Sequence, residues 1–318
     1  MAADEIAAAG HRVVDVSKRQ LLVEASDELV RRPPRLADDL FLVRDAVPDP
    51  GRTKDGLRAT VLTAQAAGAF AVSASFVGER NFTRYDVEDQ VGAALGGAYY
   101  SRRNGRPPAR RADWRVVLDG KTMWVAERPY DVPLHRRAWR QQTVVGSLHP
   151  PVAAAMARLA AIEPGMRVLD PFCGAGTVLL EAHELEPRAS YLGIDRRTEA
   201  IAAAHTNAET HGGELLGVRF RVGDAGRVSG WVDRIVTNPP WGVRLAVGDL
   251  TPYVRAWRRV LRPGGLVVAI LDQEQTWAGW EVRASYDVSV AGRHPRIVVL
   301  GLRDNGGDDA DREVAGDR

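Results

Sequence analysis

Cysteine occurs once in the 318 residues, at Cys173, so the chain can build neither an internal disulfide framework nor a zinc cluster of cysteines. The seven histidines show no metal-ligand spacing, and no metal is expected. No apolar run reaches the roughly 18 residues that a membrane helix needs. The start, Met1-Ala-Ala-Asp-Glu, lacks the basic and apolar stretches of a secretory signal. Internal repeats are absent. Lysine is scarce, since 40 of the 43 basic residues are arginine. These absences exclude disulfide-stapled secreted modules, cysteine-based zinc folds and helical membrane proteins, and they lead us to expect a cytoplasmic protein.

What is present suffices for two ordinary domains, because a chain of this length with 45% hydrophobic residues can fill two cores. The net charge of +2 hides strong clustering. From Arg102 to Arg140 there are eleven Lys or Arg against four Asp or Glu, a local net of +7. Such a segment suits a surface for nucleic-acid phosphates, although an ordinary solvated face has the same composition. Asp304 to Arg318, with six acidic and two basic residues and almost nothing apolar, reads as a disordered acidic tail.

The first half mixes helix and strand: a helix near Asp4 to Ala9, short strands at Val13 to Val16 and Gln20 to Val23, and the alternating strand Phe70 to Phe76. A helix from Val87 to Leu95 and a hairpin of Trp114 to Leu118 with Lys121 to Ala126 follow, turning at Asp119-Gly120. The second half alternates apolar strands (Arg167 to Asp170, Tyr191 to Asp195, Val218 to Val222, Arg234 to Thr237, Leu266 to Leu271) with helices at Thr177 to Leu185, Thr198 to His211 and Leu250 to Leu261. That rhythm predicts a parallel sheet covered by helices on both faces, a Rossmann-like α/β domain. The expected division is a compact α/β region at 1–130, a basic linker at 131–147, the Rossmann-like domain at 148–303 and the tail at 304–318.

The first strand of the second half runs into Asp170-Pro-Phe-Cys-Gly-Ala-Gly-Thr177 and then a helix. A glycine pair at such a turn commonly binds phosphate. Here no Gly-Lys-Ser/Thr follows, and Asp170 would repel a pyrophosphate while accepting from an ammonium group. The next strand ends at Asp195, placed to accept from ribose hydroxyls. The third is followed by Gly223-Asp224-Ala225, where a carboxylate can accept from an adenine amine. Singly, Asp195 or Asp224 reads as a turn or helix-capping residue. Three carboxylates in register with a glycine turn, and without a phosphate clamp, suit a cationic nucleoside, which S-adenosylmethionine is. Cys173 reads as a small packing residue.

The fourth strand leads into Thr237-Asn-Pro-Pro-Trp241. An exocyclic amine on a base is a poor nucleophile because its lone pair is delocalised, so transfer to it needs acceptors that aim the lone pair at the methyl group. The Asn238 side-chain carbonyl and the Pro239 backbone carbonyl can do that, Pro240 stiffens the loop, and Trp241 offers a face for a flipped base.

Asp-Pro-Phe-Cys-Gly-Ala-Gly-Thr followed by Asn-Pro-Pro-Trp resembles the amino-methyltransferases of RNA and DNA. Ser147-Leu-His-Pro-Pro-Val-Ala-Ala-Ala-Met156 looks like the segment that covers the cofactor in the RNA members that methylate guanosine at N2. Arg35 to Val43, Phe70 to Tyr85, Trp114 to Asp119 and Pro133 to Trp139 are similar to the THUMP RNA-binding module that precedes the catalytic domain in that family. The resemblance implies a tRNA or rRNA guanine as substrate, with the tRNA acceptor-stem guanosine methyltransferases nearest. It also implies cofactor contacts at His149, Pro150, Phe172, Gly174, Ala175, Gly176, Thr177, Arg196 and Ala225 besides the three carboxylates and Asn238. Arg102, Arg103, Arg106, Arg136, Arg137 and Arg140 would meet RNA phosphates. Two departures stand out: Trp241 replaces the usual Tyr or Phe, and the chain starts inside the helix that the family's first strand usually precedes. A DNA amino-methyltransferase and an RNA-binding protein without turnover are the alternatives, and a monomer is expected.

Overall fold

The computed structural model describes residues 1–17, 20–212, 217–240, 250–272, 277–289 and 292–303. The chain forms two compact units, Met1–Arg136 and Arg137–Arg318.

The first unit runs α1 (Ala2–Ala8), β1 (Val13–Val16), β2 (Leu21–Val23), α2 (Asp27–Arg31), β3 (Leu42–Pro48), α3 (Lys54–Arg58), β4 (Ala69–Phe76), α4 (Arg84–Leu95), β5 (Ala98–Tyr99), β6 (Ala112–Leu118) and β7 (Thr122–Glu127). Its main sheet has the order β3-β7-β6-β4-β5, in which β4 is parallel to β5 and β6 while β7 is antiparallel to β6 and β3. Helix α4 starts where Thr83 and Asp86 cap each other: the Asp86 amide donates to Thr83 Oγ1 at 3.3 Å and the Thr83 amide to Asp86 Oδ2 at 2.7 Å. One face of that helix, Val87, Val91 and Leu95, then packs on Phe70, Val72, Trp114 and Val116.

The second unit runs α5 (Pro150–Leu159), β8 (Arg167–Asp170), α6 (Thr177–Leu185), β9 (Ser190–Asp195), α7 (Thr198–Gly212), β10 (Val218–Val222), β11 (Val232–Thr237), α8 (Thr251–Val260), β12 (Leu261–Leu271), β13 (Trp280–Asp287) and β14 (Arg296–Leu302). The sheet order is β10-β9-β8-β11-β12-β14-β13. Strands β8 to β12 are parallel, as the alternating pattern predicts. The last two strands correct that expectation, because β14 lies antiparallel between β12 and β13. Successive residues of each central strand fall on opposite faces. Val168, Val236, Val268 and Ile270 pack with α5, α6 and α7, and Leu169, Ile235, Val267 and Ala269 pack with α8. Two covered faces are why these strands read as unbroken apolar runs.

Residues 131–147, read from sequence as a linker, are divided at the unit boundary; from Arg137 they belong to the second unit, where Trp139 and Leu148 are buried in its core. The acidic tail 304–318 lies outside the described residues. Among the described residues, no helix is long and apolar enough to cross a membrane.

Candidate active site

In a sheet of this order the connections run one way from β8 to β9 and the other way to β11, and ligands bind where that reversal opens a crevice at the carboxyl ends of the strands. Asp170 ends β8 there, and Thr237 ends β11. The two are joined directly. Thr237 Oγ1 donates to Asp170 Oδ1 at 2.7 Å, and the Phe172 amide donates to the same oxygen at 3.0 Å. Asp170 is only 1% exposed. Burial pushes its carboxyl up to about 7, against the two hydrogen bonds that favour the charged form and with the help of nearby Asp195.

The turn after Asp170 depends on its glycines. Gly174 has φ +53° and Gly176 φ +80°, in the left-handed region that L side chains rarely adopt. A methyl group at Gly176 would also stand 2.9 Å from the Phe220 ring. The Gly174 amide donates to Asp195 Oδ2 at 3.1 Å, and the other Asp195 oxygen accepts from the Arg197 amide at 3.0 Å and its Nε at 3.2 Å. Asp195 thus pins the glycine turn to the end of β9. Arg197 was missed in the sequence, where Arg196 was expected to contribute; Arg196 is exposed. Phe172 meets Tyr253, another residue that the sequence reading missed, edge to face at 5.1 Å. Ala175 and Thr177 are buried. So is Cys173, whose thiol burial pushes well up, as befits a packing residue.

Asp224 is exposed and accepts from the Gly226 amide at 2.7 Å, closing a turn beside buried Ala225. His149 is the residue before α5, and Pro150 is buried in its first turn.

Asn238 follows β11, and its Nδ2 donates to the Gly146 carbonyl at 2.9 Å. Only the NH2 end of an amide can face a carbonyl, so the contact fixes which way the side chain points, with Oδ1 turned from Gly146. Pro239 is buried and Pro240 partly so, whereas Trp241 lies outside the described residues.

The expected phosphate-binding arginines divide. Arg106 and Arg136 are exposed. Arg102 is 3.6 Å from Glu88, and Arg103 donates at 2.8 Å to both Asp86 and Asp89, so these guanidiniums stand on the first unit's surface with carboxylates beside them. Arg137 corrects the expectation: its Nε donates to Glu181 Oε1 at 2.7 Å, and the two side chains are 9% and 0% exposed. A guanidinium held inside the core cannot meet a phosphate. Arg140 is partly buried, and burial lowers its pKa.

Residues 137–279 match the family described as RMKL-like, methyltransferase domain. Over 250 residues, 74% of this chain and 73% of the other, the sequence is 35% identical to a tRNA (guanine(6)-N2)-methyltransferase of Thermus thermophilus. The chain belongs to the THUMP-type RNA guanine-N2 methyltransferases. A U6 snRNA (guanine-N(2))-methyltransferase, THUMPD2 of Bos taurus, is 36% identical to this methyltransferase over 148 residues, 46% of this chain and 29% of that one. The crystal structure of TrmN from Thermus thermophilus superposes with a TM-score of 0.76 at 28% identity, covering 94% of this methyltransferase and 95% of TrmN.

Proposed function

We propose that the protein methylates the exocyclic N2 amine of a guanosine in tRNA, with S-adenosylmethionine as methyl donor. The observation that carries this reading is the tether of Asn238 next to the end of β11, where its Nδ2 donates to the Gly146 carbonyl and so fixes which way the side-chain amide faces. The donor fits the residues present. Asp170, buried and raised to about 7, is a carboxyl that the amino-acid ammonium would convert to its charged form. The αL turn at Gly174 and Gly176 keeps the backbone close to the ligand.

Bound, the cofactor supplies an electrophilic methyl group on a sulfonium sulfur. Asp170 holds the ammonium, Asp195 the ribose hydroxyls, and Asp224 with Ala225 the adenine edge. Phe172, Gly174, Ala175, Gly176, Thr177 and Arg196 line the turn, and His149 and Pro150 close over it. Asn238 Oδ1 and the Pro239 carbonyl accept the two N2 hydrogens, which aims the nitrogen lone pair at the methyl carbon. Transfer would form the N–C bond as the methyl–sulfur bond breaks, its electron pair staying on sulfur as a neutral thioether, and both acceptors would stabilise the positive charge that grows on N2. One N2 proton then passes to solvent, so the chemistry depends on positioning more than on a strong base. Pro240 stiffens the loop, and Trp241 supplies the stacking face. The first unit binds the RNA through exposed Arg102, Arg103, Arg106 and Arg136. We place the protein in the cytoplasm as a monomer that needs no metal.

Incubation with radiolabelled S-adenosylmethionine and separate pools of unmodified tRNA, rRNA and duplex DNA tests this. Label should appear in N2-methylguanosine from tRNA and fall about 100- to 1,000-fold in Asn238→Ala, the range for losing one preorganised polar group at a reacting centre. Label in rRNA or DNA instead would overturn the substrate.

A further inference from the structure

Asn207 is a polar residue on the inward face of α7, in the run Ile201-Ala-Ala-Ala-His-Thr-Asn207, where every other inward position is apolar. It is 0% exposed. Its amide is nonetheless fully engaged. Oδ1 accepts from the Gln142 amide at 2.8 Å, while Nδ2 donates to the Gln142 carbonyl at 3.0 Å and to the Ala175 carbonyl at 2.9 Å. The side chain therefore treats Gln142 as a strand treats its neighbour, pairing with both backbone groups, and spends its remaining donor on the middle of the glycine turn. Rotating the amide by half a turn would set acceptor against acceptor, so a single arrangement is stable.

Four positions on from Gln142, the segment that Asn207 grips reaches Gly146, whose carbonyl meets Asn238. Arg137, Trp139 and Leu148 anchor its ends in the core. Past Gln142, the Val144 side chain lies over the glycine turn, 3.4 Å from where a methyl at Gly174 would stand. Val144 to Ser147 form a tight turn: the Ser147 amide donates to the Val144 carbonyl at 2.9 Å, and the Val144 amide to Ser147 Oγ at 2.9 Å. Gly146, at φ +84°, takes the left-handed position of that turn. Its carbonyl receives the Asn238 amide.

We propose that Asn207 is a positioning residue, clamping the strap at residues 142–147 to the glycine turn so that the Gly146 carbonyl holds Asn238 with its oxygen toward the substrate amine. The catalytic part of this inference rests on the function proposed above; the mechanical part does not. One helix residue thereby ties the loop that carries the cofactor contacts to the side chain that orients the nucleophile. A shift of the strap would misplace Asn238 without touching it, and misplacement of about 1 Å at a reacting centre costs about 100-fold in rate.

Asn207→Asp tests it, since it keeps the shape and the Oδ1 acceptor but removes both donors. Amide hydrogen exchange of peptides covering 142–147 should speed up about tenfold or more, with peptides from β8, β11 and β12 unchanged. In turnover with tRNA, kcat should fall about 100-fold while the apparent affinity for S-adenosylmethionine changes much less. In the Asn238→Ala background the same substitution should cost no further rate, because the residue through which it acts is gone. If Asn207→Asp does not fold, Gln142→Pro at the exposed strap removes one of the three hydrogen bonds from the other side, and the same exchange and kcat pattern is expected. Unchanged exchange at 142–147 would overturn the clamp even if the wild type turns over, and losses that simply add in the double variant would overturn the route through Asn238. A wild type inactive on tRNA would instead overturn the function, while hydrogen exchange still decides the clamp.

Discussion

Asp170 is a carboxyl that the fold keeps from water and gives one hydroxyl and one amide as donors. Raised to about 7, it is shared between its two forms at neutral pH. Cofactor binding through an ammonium selects the charged form, so at pH 7 it should release about half a proton per ligand, and affinity should fall as pH drops below about 7. Calorimetry in buffers of different ionisation heat measures the release, and Asp170→Asn should abolish it. The sign is opposite for folding of the free protein. A carboxyl raised above its unfolded value of 3.8 contributes stability that is fully present below that value and lost as pH rises through about 7. Proton uptake on binding, or a release that survives in Asp170→Asn, would contradict this assignment.

At the scale of elements, the buried pair of Arg137 and Glu181 fastens the start of the strap to α6. Truncating one partner strands the other charge in the core, so Arg137→Met should destabilise the second unit by about 3–5 kcal/mol. Arg137→Met with Glu181→Leu should recover most of that loss, since an apolar pair of similar volume carries no desolvation penalty; denaturant unfolding followed by tryptophan fluorescence reads both. The sequence shows Arg137 only as one member of a basic run, and nothing in it marks the carboxylate 44 positions away that turns it inward. Elements were legible where a strand is covered on both faces or a helix carries its own cap, as with β8, β9, β12 and α4. They were hidden where the pattern breaks. Strand β3 carries a bulge between Val43 and Asp45, and β13 exposes most of its residues at the sheet edge, so neither alternates cleanly. Of the site, Asp170, the glycine turn and Asn238 could be read because their chemistry is local. Asn207 and Tyr253 could not, because their partners are backbone atoms or a ring that only the folded chain brings near; Arg197 stands two residues from the Asp195 carboxylate it holds, and nothing in the sequence marks it over Arg196.

For the whole molecule, the proposed RNA contacts are exposed arginines of the first unit and the proposed cofactor contacts are carboxylates of the second. Arg106 stands exposed on the first unit, so Arg106→Ala should weaken tRNA binding at every sequence alike and reduce the slope of log affinity against log salt by about 1. A slope identical to the wild type would move the phosphate path elsewhere. The second unit has a further property that follows from its strand order. Strand β14, residues Arg296–Leu302, is inserted between β12 and β13 and, among the described residues, is the only strand paired with β13. During synthesis from the amino end, the first unit and the cofactor turn emerge long before this strand does. The sheet therefore stays open at β12, with an unpaired ladder of backbone donors and acceptors, until residue 302 has left the ribosome. A nascent chain of this protein thus exposes Asp170, the glycine turn and Asn238 before the strand that completes their sheet has emerged.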